Sequence, residues 1–468
     1  MLDIREKKLY LFIPLWFLST LYSNKQNSVL MRFFMKGMTL LLFLTLYFSS
    51  VHPLKAQQIT IDRNKPERKS WFQDMGFGMM IHWSVDVQLG AMISRSVAAS
   101  SKAYQHHYFN ELPKTFDPKS FDPVEWAKLA KLAGMQYVVI TAKHHNGFCM
   151  WNTQTSSFNI MNTAFGKDAL KEIIDAFRLH ELAIGISFSP DDYYVMYQQG
   201  HPPSRNSPDS ESTRNAALWD VNKKQLKELL TNYGEIDILF INEKSDWANP
   251  LVANYAWELS PDLVVTRGGM PSPEQYIPEE IEAVPWEGCF SMGVHWQHVP
   301  DDAYKSATTL INLLIETRAK GGNFLLNVAP DAEGKIPTAQ EDRLREIALW
   351  NMANHEAVAN TRPWKTPKEE NTWFVQSKDT KYVYAFVNEP YWNWMEEKAF
   401  FFRSMRGGKT TRATVLGQND EMMEFHVHRS PAPVVSVTDD GIFVNVVKAQ
   451  PFTKNWENPM VIRFEAVE

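Results

Sequence analysis

Two adjacent histidines in Lys143-His-His-Asn-Gly-Phe148 stand where the apolar run Gln136-Tyr-Val-Val-Ile140 gives out. A third, His82, closes the run Gly76-Phe-Gly-Met-Met-Ile81 and is followed by Trp83. Two more apolar runs, 236–241 and Leu263-Val-Val-Thr266, end in Asn242-Glu243 and in Arg267. Short runs that are apolar without alternation read as strands buried on both faces. Polar groups at their exits therefore point to the carboxyl rim of a parallel α/β sheet, where such folds keep their chemistry. These strands thus deliver imidazoles, a carboxylate and a guanidinium to what could be one rim, hydrogen-bonding groups suited to a hydroxyl-rich ligand. Cleaving a glycosidic bond would further require two carboxylates, one protonating the leaving oxygen and one attacking carbon or activating water. Asp191, Asp192, Glu243 and Asp246 are candidates at the rim, with Glu279, Glu280 and Glu287 on the later segment.

A metal is not expected. Neighbours on an extended segment point to opposite sides, which separates His144 from His145, and no second His or Cys cluster at zinc spacing completes a site. The two cysteines, Cys149 and Cys289, rule out a disulfide framework and read as small buried groups. There is no Gly-x-Ser-x-Gly elbow, phosphate-cradling loop or His-Glu-x-x-His, so acyl transfer, nucleotide chemistry and zinc proteolysis lack their signatures. No cofactor is expected. With 48 Lys and Arg against 54 Asp and Glu and no long basic block, nucleic acid is not the expected partner. The 16 Trp, 16 Tyr and 28 Phe leave aromatic walls available, and Trp83 and Trp296 are the ones expected against a sugar's apolar face.

The elements that would position these groups alternate strand with helix from Trp71 onward. Asp122-Pro-Val-Glu-Trp opens an amphipathic helix, with Asp122 as cap and Pro123 in the first turn, closed by Gly134. Helices are expected over 170–182, 217–233, 304–317 and 339–354, and strands over 183–189 and 323–328. That order predicts an α/β fold with a (β/α)8-like barrel rather than an open sheet, because no glycine-rich loop follows the first strand. Past the proline-bearing joint Thr361-Arg-Pro-Trp-Lys-Thr-Pro367 the segments 381–387, 411–416, 423–427 and 441–447 are β-rich without helices, which predicts a β-sandwich. The expected domains are 57–365 and 366–468. The polar stretch 202–212 reads as a loop over the barrel mouth. Before the barrel, Met35-Lys-Gly-Met leads an apolar core and then Leu54-Lys-Ala56, the layout of a secretory signal. Residues 1–56 are thus a signal region, with a true start expected at Met31 or Met35, and the mature protein is expected to be exported, periplasmic or secreted, with no membrane span.

From Trp71 to the end the chain resembles glycoside hydrolase family 29, the α-L-fucosidases. The resemblance is carried by Gly76-Phe-Gly-Met-Met-Ile-His-Trp83, Phe121-Asp-Pro-Val-Glu-Trp126, Lys143-His-His-Asn-Gly-Phe148, Asn232-Tyr-Gly-Glu-Ile-Asp-Ile-Leu239, Lys320-Gly-Gly-Asn-Phe-Leu-Leu-Asn-Val328 and Asn360-Thr-Arg-Pro-Trp364. It implies a barrel followed by a β-sandwich, retaining hydrolysis of α-linked L-fucose from oligosaccharides or glycoconjugates, and no metal. It also implies that His82, His144, His145 and Arg267 hold the sugar's hydroxyls. The departures are as informative. The family's nucleophilic aspartate ends a Trp-Phe-Asp-Gly segment, and here that segment is Phe240-Ile-Asn-Glu243, so Asn242 stands at the nucleophile position. An amide cannot form the glycosyl ester. The family's Glu-Trp-Tyr is missing from 88–113, and its Tyr-Tyr-Ser is Ser187-Phe-Ser189. Glu279 and Glu287 are the places expected for the general acid, and Glu243 or Asp192 for a displaced base or nucleophile. A sugar-binding protein that has lost the chemistry is the alternative reading.

Overall fold

The computed structural model describes residues 62–243, 250–421, 428, 430–449 and 457–468. All of them belong to one compact unit, Thr60–Glu468. The signal region, Asp246 and the segment 423–427 lie outside the described residues.

The first half alternates as the sequence predicts. Its elements are α1 (Pro66–Met75), β1 (Phe77–Ile81), α2 (Lys102–Asn110), α3 (Pro123–Leu132), β2 (Tyr137–Lys143), α4 (Ala169–Leu179), β3 (Ala183–Phe188), α5 (Tyr193–Gln198), α6 (Ala216–Asn232) and β4 (Ile238–Ile241). There follow α7 (Pro250–Leu259), β5 (Val264–Val265), β6 (Trp286–Ser291), α8 (Ala307–Ala319), β7 (Gly322–Val328) and α9 (Thr338–Asn354). The capping at α3 is as expected, with the Asp122 carboxylate accepting from the Val124 and Glu125 amides. Five elements were not legible beforehand: the helices α1, α2, α5 and α7 and the strand β6.

The seven strands pair in parallel in the order β5-β4-β3-β2-β1-β7-β6. Period-two alternation separates two cores. Met79, Ile81, Val138 and Ile140 face outward onto the helices in the larger core, whereas Met80, Tyr137, Val139, Phe240, Cys289 and Leu325 fill the barrel interior. Phe72 from α1 closes the bottom of that interior, where the Asn323 side chain donates to the Phe72 carbonyl. The strand exits at the opposite end are left for function.

The C-terminal half is antiparallel: β8 (Thr361–Glu369), β9 (Thr372–Ser377), β10 (Tyr382–Val387), β11 (Glu397–Phe402), β12 (Gly407–Val415), β13 (Val434–Thr438), β14 (Gly441–Val447) and β15 (Met460–Val467). They form a five-stranded sheet, β12-β15-β10-β9-β8, and a three-stranded sheet, β11-β14-β13. The joint expected at 365/366 falls inside β8, because the chain enters the sheet directly from the α9 turn without a free linker. β10 explains how the five-stranded sheet is buried on both faces. Val383, Ala385 and Val387 pack between the sheets, while Tyr384 and Phe386 pack on the barrel's helical layer with Trp350. Buried Arg318 adds a polar tie, donating to the carbonyls of Gln73, Gly322, Val358 and Thr361.

Candidate functional site

The exits of β1, β2 and β4 deliver His82, the pair His144 and His145, and Asn242 to a common cavity of about 250 Å³. The volume is just below the roughly 300 to 1,000 Å³ usual for ligand pockets and suits one sugar ring. His82, His144, His145 and Asn242 all line it, as do Trp296 and Cys289. A larger groove of about 480 Å³ runs over the outer helix surfaces near Trp126 and Arg345, away from the strand ends.

The three imidazoles form one cluster, with ring centroids 5.7 Å apart for His82 and His144 and 4.2 Å apart for His144 and His145. The expectation that the adjacent pair would diverge is corrected here. β2 ends at Lys143, and the chain then turns, the Gly147 amide donating to the His144 carbonyl, so both rings reach the same cavity. Gly147 is required in that turn: its φ is +84°, and a Cβ there would sit 2.1 Å from Asp192 Oδ1.

The surrounding network fixes the tautomers. Asn327 donates through Nδ2 to the Trp296 carbonyl, so its Oδ1 accepts from His82 Nδ1 at 2.6 Å. Ser94 Oγ accepts from the Asn146 amide and gives its own proton to His144 Nδ1 at 2.7 Å. His145 Nδ1 donates to Asp191 Oδ1 at 2.6 Å. Nε2 of His82 therefore presents a lone pair and that of His144 a proton, while Nε2 of His145 presents a lone pair when the ring is neutral and a proton when it is charged, a mixed set suited to hydroxyls. Burial pushes His82 down to about 4. It also lowers His144, with neighbouring His145 adding to the effect. His145 is lowered by burial too, against the opposing pull of Asp191. Trp296 packs on His82 at 5.4 Å between centroids. The wall beside it includes Met80, Phe240 and Val294.

Beneath the His pair, fully buried Lys143 binds Asp192 Oδ2 at 3.1 Å and Asn222 Oδ1 at 3.0 Å. Asp192 also caps α5 by accepting from the Val195 amide. It is a buried structural carboxylate and does not line the cavity, which removes it from the expected base position. Glu287 is likewise displaced from the expected acid position. It points into the barrel interior below the cavity, where its Oε1 accepts from Tyr137 OH at 2.8 Å and burial pushes it up to about 7. Glu279 is exposed on the loop before β6 and does not line the cavity. Glu243 offers its backbone carbonyl to Arg267 Nη2 at 2.9 Å, and its side chain is not part of the lining. Trp83 is buried against Phe116, Phe121 and Trp126, and its Nε1 donates to the Asp331 carbonyl, so it is core rather than wall.

The acidic side chain that does line the cavity is Glu274. It is ion-paired with Arg267, whose charge thereby reaches the rim. Sequence reasoning passed over it because Met270-Pro-Ser-Pro-Glu274 reads as a turn. The long 88–113 stretch also contributes more than expected. Ser94, in a left-handed conformation with φ 59°, holds His144, while its amide donates to Asp86 at 2.7 Å. Met92, Ile93 and Arg95 line the cavity, and Arg205 enters it from the predicted 202–212 loop. Among the described residues no three His, Cys, Asp or Glu side chains converge as metal ligands.

Comparison with known proteins bears on the family and the fold. The family model described as α-L-fucosidase matches residues 49–356. An α-L-fucosidase of Dictyostelium discoideum is 26% identical over 420 residues, covering 79% of this chain and 88% of its own. Among solved structures, α-L-fucosidase isoenzyme 1 from Paenibacillus thiaminolyticus superposes with a TM-score of 0.70 at 26% identity, covering 86% of this chain and 99% of that one. A Bacteroides thetaiotaomicron α-L-fucosidase, trapped as a covalent intermediate with 2-fluoro-fucosyl fluoride, shares the fold with a TM-score of 0.67 at 20% identity over 89% of this chain and all of that one.

Proposed function

The chain belongs to the α-L-fucosidase family, and from that premise we propose that it hydrolyses terminal α-linked L-fucose, or a closely related sugar, from oligosaccharides or glycoconjugates outside the cytoplasm. The observation that carries this reading is the cavity of about 250 Å³ at the strand exits, in which three imidazoles of alternating donor and acceptor character face an indole wall. Such a site suits a single ring with hydroxyls on one face and an apolar edge on the other. Arg95 and Arg205 supply further donors in its lining, and Arg267 stands behind the lining residue Glu274 as its ion-pair partner. The layout of Met35–Ala56 supports export.

Asn242 favours a second reading, a sugar-binding protein without turnover, because the family's nucleophile position carries an amide. Incubating the protein from Gln57 onward with a panel of α-L-fucosides, alongside calorimetry with free L-fucose, separates the two. Fucose release supports the hydrolase. Binding without release supports the second reading, and an inert protein that binds no sugar overturns both. Intact mass of the protein recovered from its native envelope should begin near Gln57, and a cytosolic pool starting at Met1 would overturn the export proposal.

A further inference from the structure

We propose that Glu274 is the carboxylate that attacks the anomeric carbon in place of the missing aspartate, and that His145, oriented by Asp191, is the proton donor and acceptor facing it. This assignment rests on the hydrolase reading above.

The backbone makes Glu274 a rim residue. Residues 271–275 run along the free edge of β6: the Glu287 and Cys289 amides donate to the Pro271 and Pro273 carbonyls at 3.1 and 2.9 Å, and the Gln275 amide donates to the Cys289 carbonyl at 3.0 Å. Glu274 pairs in parallel with Cys289, whose side chain also lines the cavity. The segment thus occupies the place of an eighth strand, and the ion pair from Glu274 to Arg267, after β5, closes the ring. Around that ring β2 lies four places from the segment in either direction. His145, following β2, therefore faces Glu274 across the mouth. Two groups on opposite sides of one sugar ring are the geometry of double displacement.

Charge decides which group plays which part. Arg267 places a fixed positive charge against Glu274, which favours the carboxylate that a nucleophile needs. Asp191 places a negative charge on His145 Nδ1 at 2.6 Å, which works against the lowering by burial and makes His145 the imidazole of the three that a carboxylate helps to protonate. Asp191 is also faced by Arg205 Nε at 3.7 Å, which holds the carboxylate ionised. His145 Nε2 has no protein partner among the described residues and stands free for the leaving oxygen. His82 is excluded from that part because its Nδ1 meets a neutral amide oxygen instead of a carboxylate.

In the first step Glu274 forms an ester bond to the anomeric carbon, the glycosidic C–O bond breaks, and the His145 Nε2 proton goes to the departing oxygen. In the second, neutral His145 takes a proton from water, whose oxygen attacks the anomeric carbon and releases Glu274. Carboxylate and imidazolium are both regenerated, and the sugar leaves with its configuration retained. Asp191 is a positioning residue in this scheme, and Asn242 contributes hydrogen bonding only.

The test uses the whole protein and 2-deoxy-2-fluoro-L-fucosyl fluoride, with peptide mass mapping. The label is expected on Glu274. Glu274→Gln is expected to bind fucose by calorimetry as wild type does and to lose turnover by on the order of 10⁴-fold, with azide restoring part of it as the inverted fucosyl azide. Asp191→Asn is expected to lose roughly tenfold on alkyl fucosides while sparing aryl fucosides, and to move the alkaline limb of kcat/KM to lower pH. The groups facing His145 that set this limb are Asp191, Arg205, Arg95, His144 and His82. A label on any other residue, inverted product by NMR, or full activity in Glu274→Gln overturns the assignment and leaves the hydrolase reading standing. A wild type that releases no fucose overturns both.

Discussion

Replacing Lys143 by methionine removes one partner of an ion pair that has no access to water. Its side chain is 0% exposed and that of Asp192 2%, with 3.1 Å between Nζ and Oδ2. The ammonium is also bonded to Asn222 and lies over the Phe188 ring at 4.5 Å. After the change Asp192 keeps its bond from the Val195 amide and loses the counter-charge of Lys143. Stranding one member of a buried pair costs about 3–5 kcal/mol, or roughly two to four powers of ten in the folding equilibrium. Replacing both members costs far less, since the pair's attraction only offsets its desolvation. The double variant Lys143→Met with Asp192→Asn, which keeps an acceptor for the α5 cap, should lie within about 2 kcal/mol of wild type. Urea unfolding followed by fluorescence and circular dichroism gives both numbers, with the slope of the transition unchanged. Because Lys143 immediately precedes His144 and His145, fucose affinity should fall in the single variant and recover in the double. A single variant that costs less than about 1 kcal/mol, or a double as unstable as the sum of its parts, refutes the reasoning.

Asn242→Asp places a carboxylate on the same rim as Arg267, and turnover of aryl α-L-fucosides should rise in the Glu274→Gln background, part of the way because about 1 Å of misplacement costs roughly 100-fold. Initial rates with and without azide check this, and no gain at any pH counts against a carboxylate at position 242 reaching the bound sugar. Glu287 is pushed up to about 7 from 4.5 by burial, so the folded state holds its proton longer than the unfolded chain. Stability should therefore fall as pH rises from about 4.5 to about 7, by about 3 kcal/mol, and Glu287→Gln should flatten that slope. Asp86, pushed up to about 6 by burial, acts in the same direction over a lower window and should leave a smaller residual slope. His82 acts oppositely: its lowered value means stability is lost as pH falls from about 6.5 towards about 4, which urea midpoints in the His82→Gln variant should show as a shallower acid limb.

The sequence by itself determined the class of the fold, because strands buried on both faces must be continuously apolar and helices over them must be amphipathic, and both patterns are local. It also placed His82, His144, His145, Asn242 and Arg267 at strand exits, since an exit is simply where an apolar run stops. Trp296, one of the two proposed walls, does face the cavity, but no pattern distinguished it from Trp83, which the structure packs among Phe116, Phe121 and Trp126. The carboxylates could not be sorted either. Asp191 and Asp192 are neighbours at one exit, yet one meets His145 in the site and the other a buried lysine beneath it, a difference made by partners 46 and 49 residues away. Glu287 sits two residues before a cavity-lining cysteine and is still sealed inside the barrel, because which layer a strand residue joins depends on the stagger of its neighbours. Glu274 emerged only when residues 271–275 paired with β6, since a proline-rich stretch has no period to betray an edge strand. Local pattern thus fixed where polar groups leave the core. Which of them share a cavity, and in which protonation state, depended on long-range register and charge that only the tertiary structure supplies.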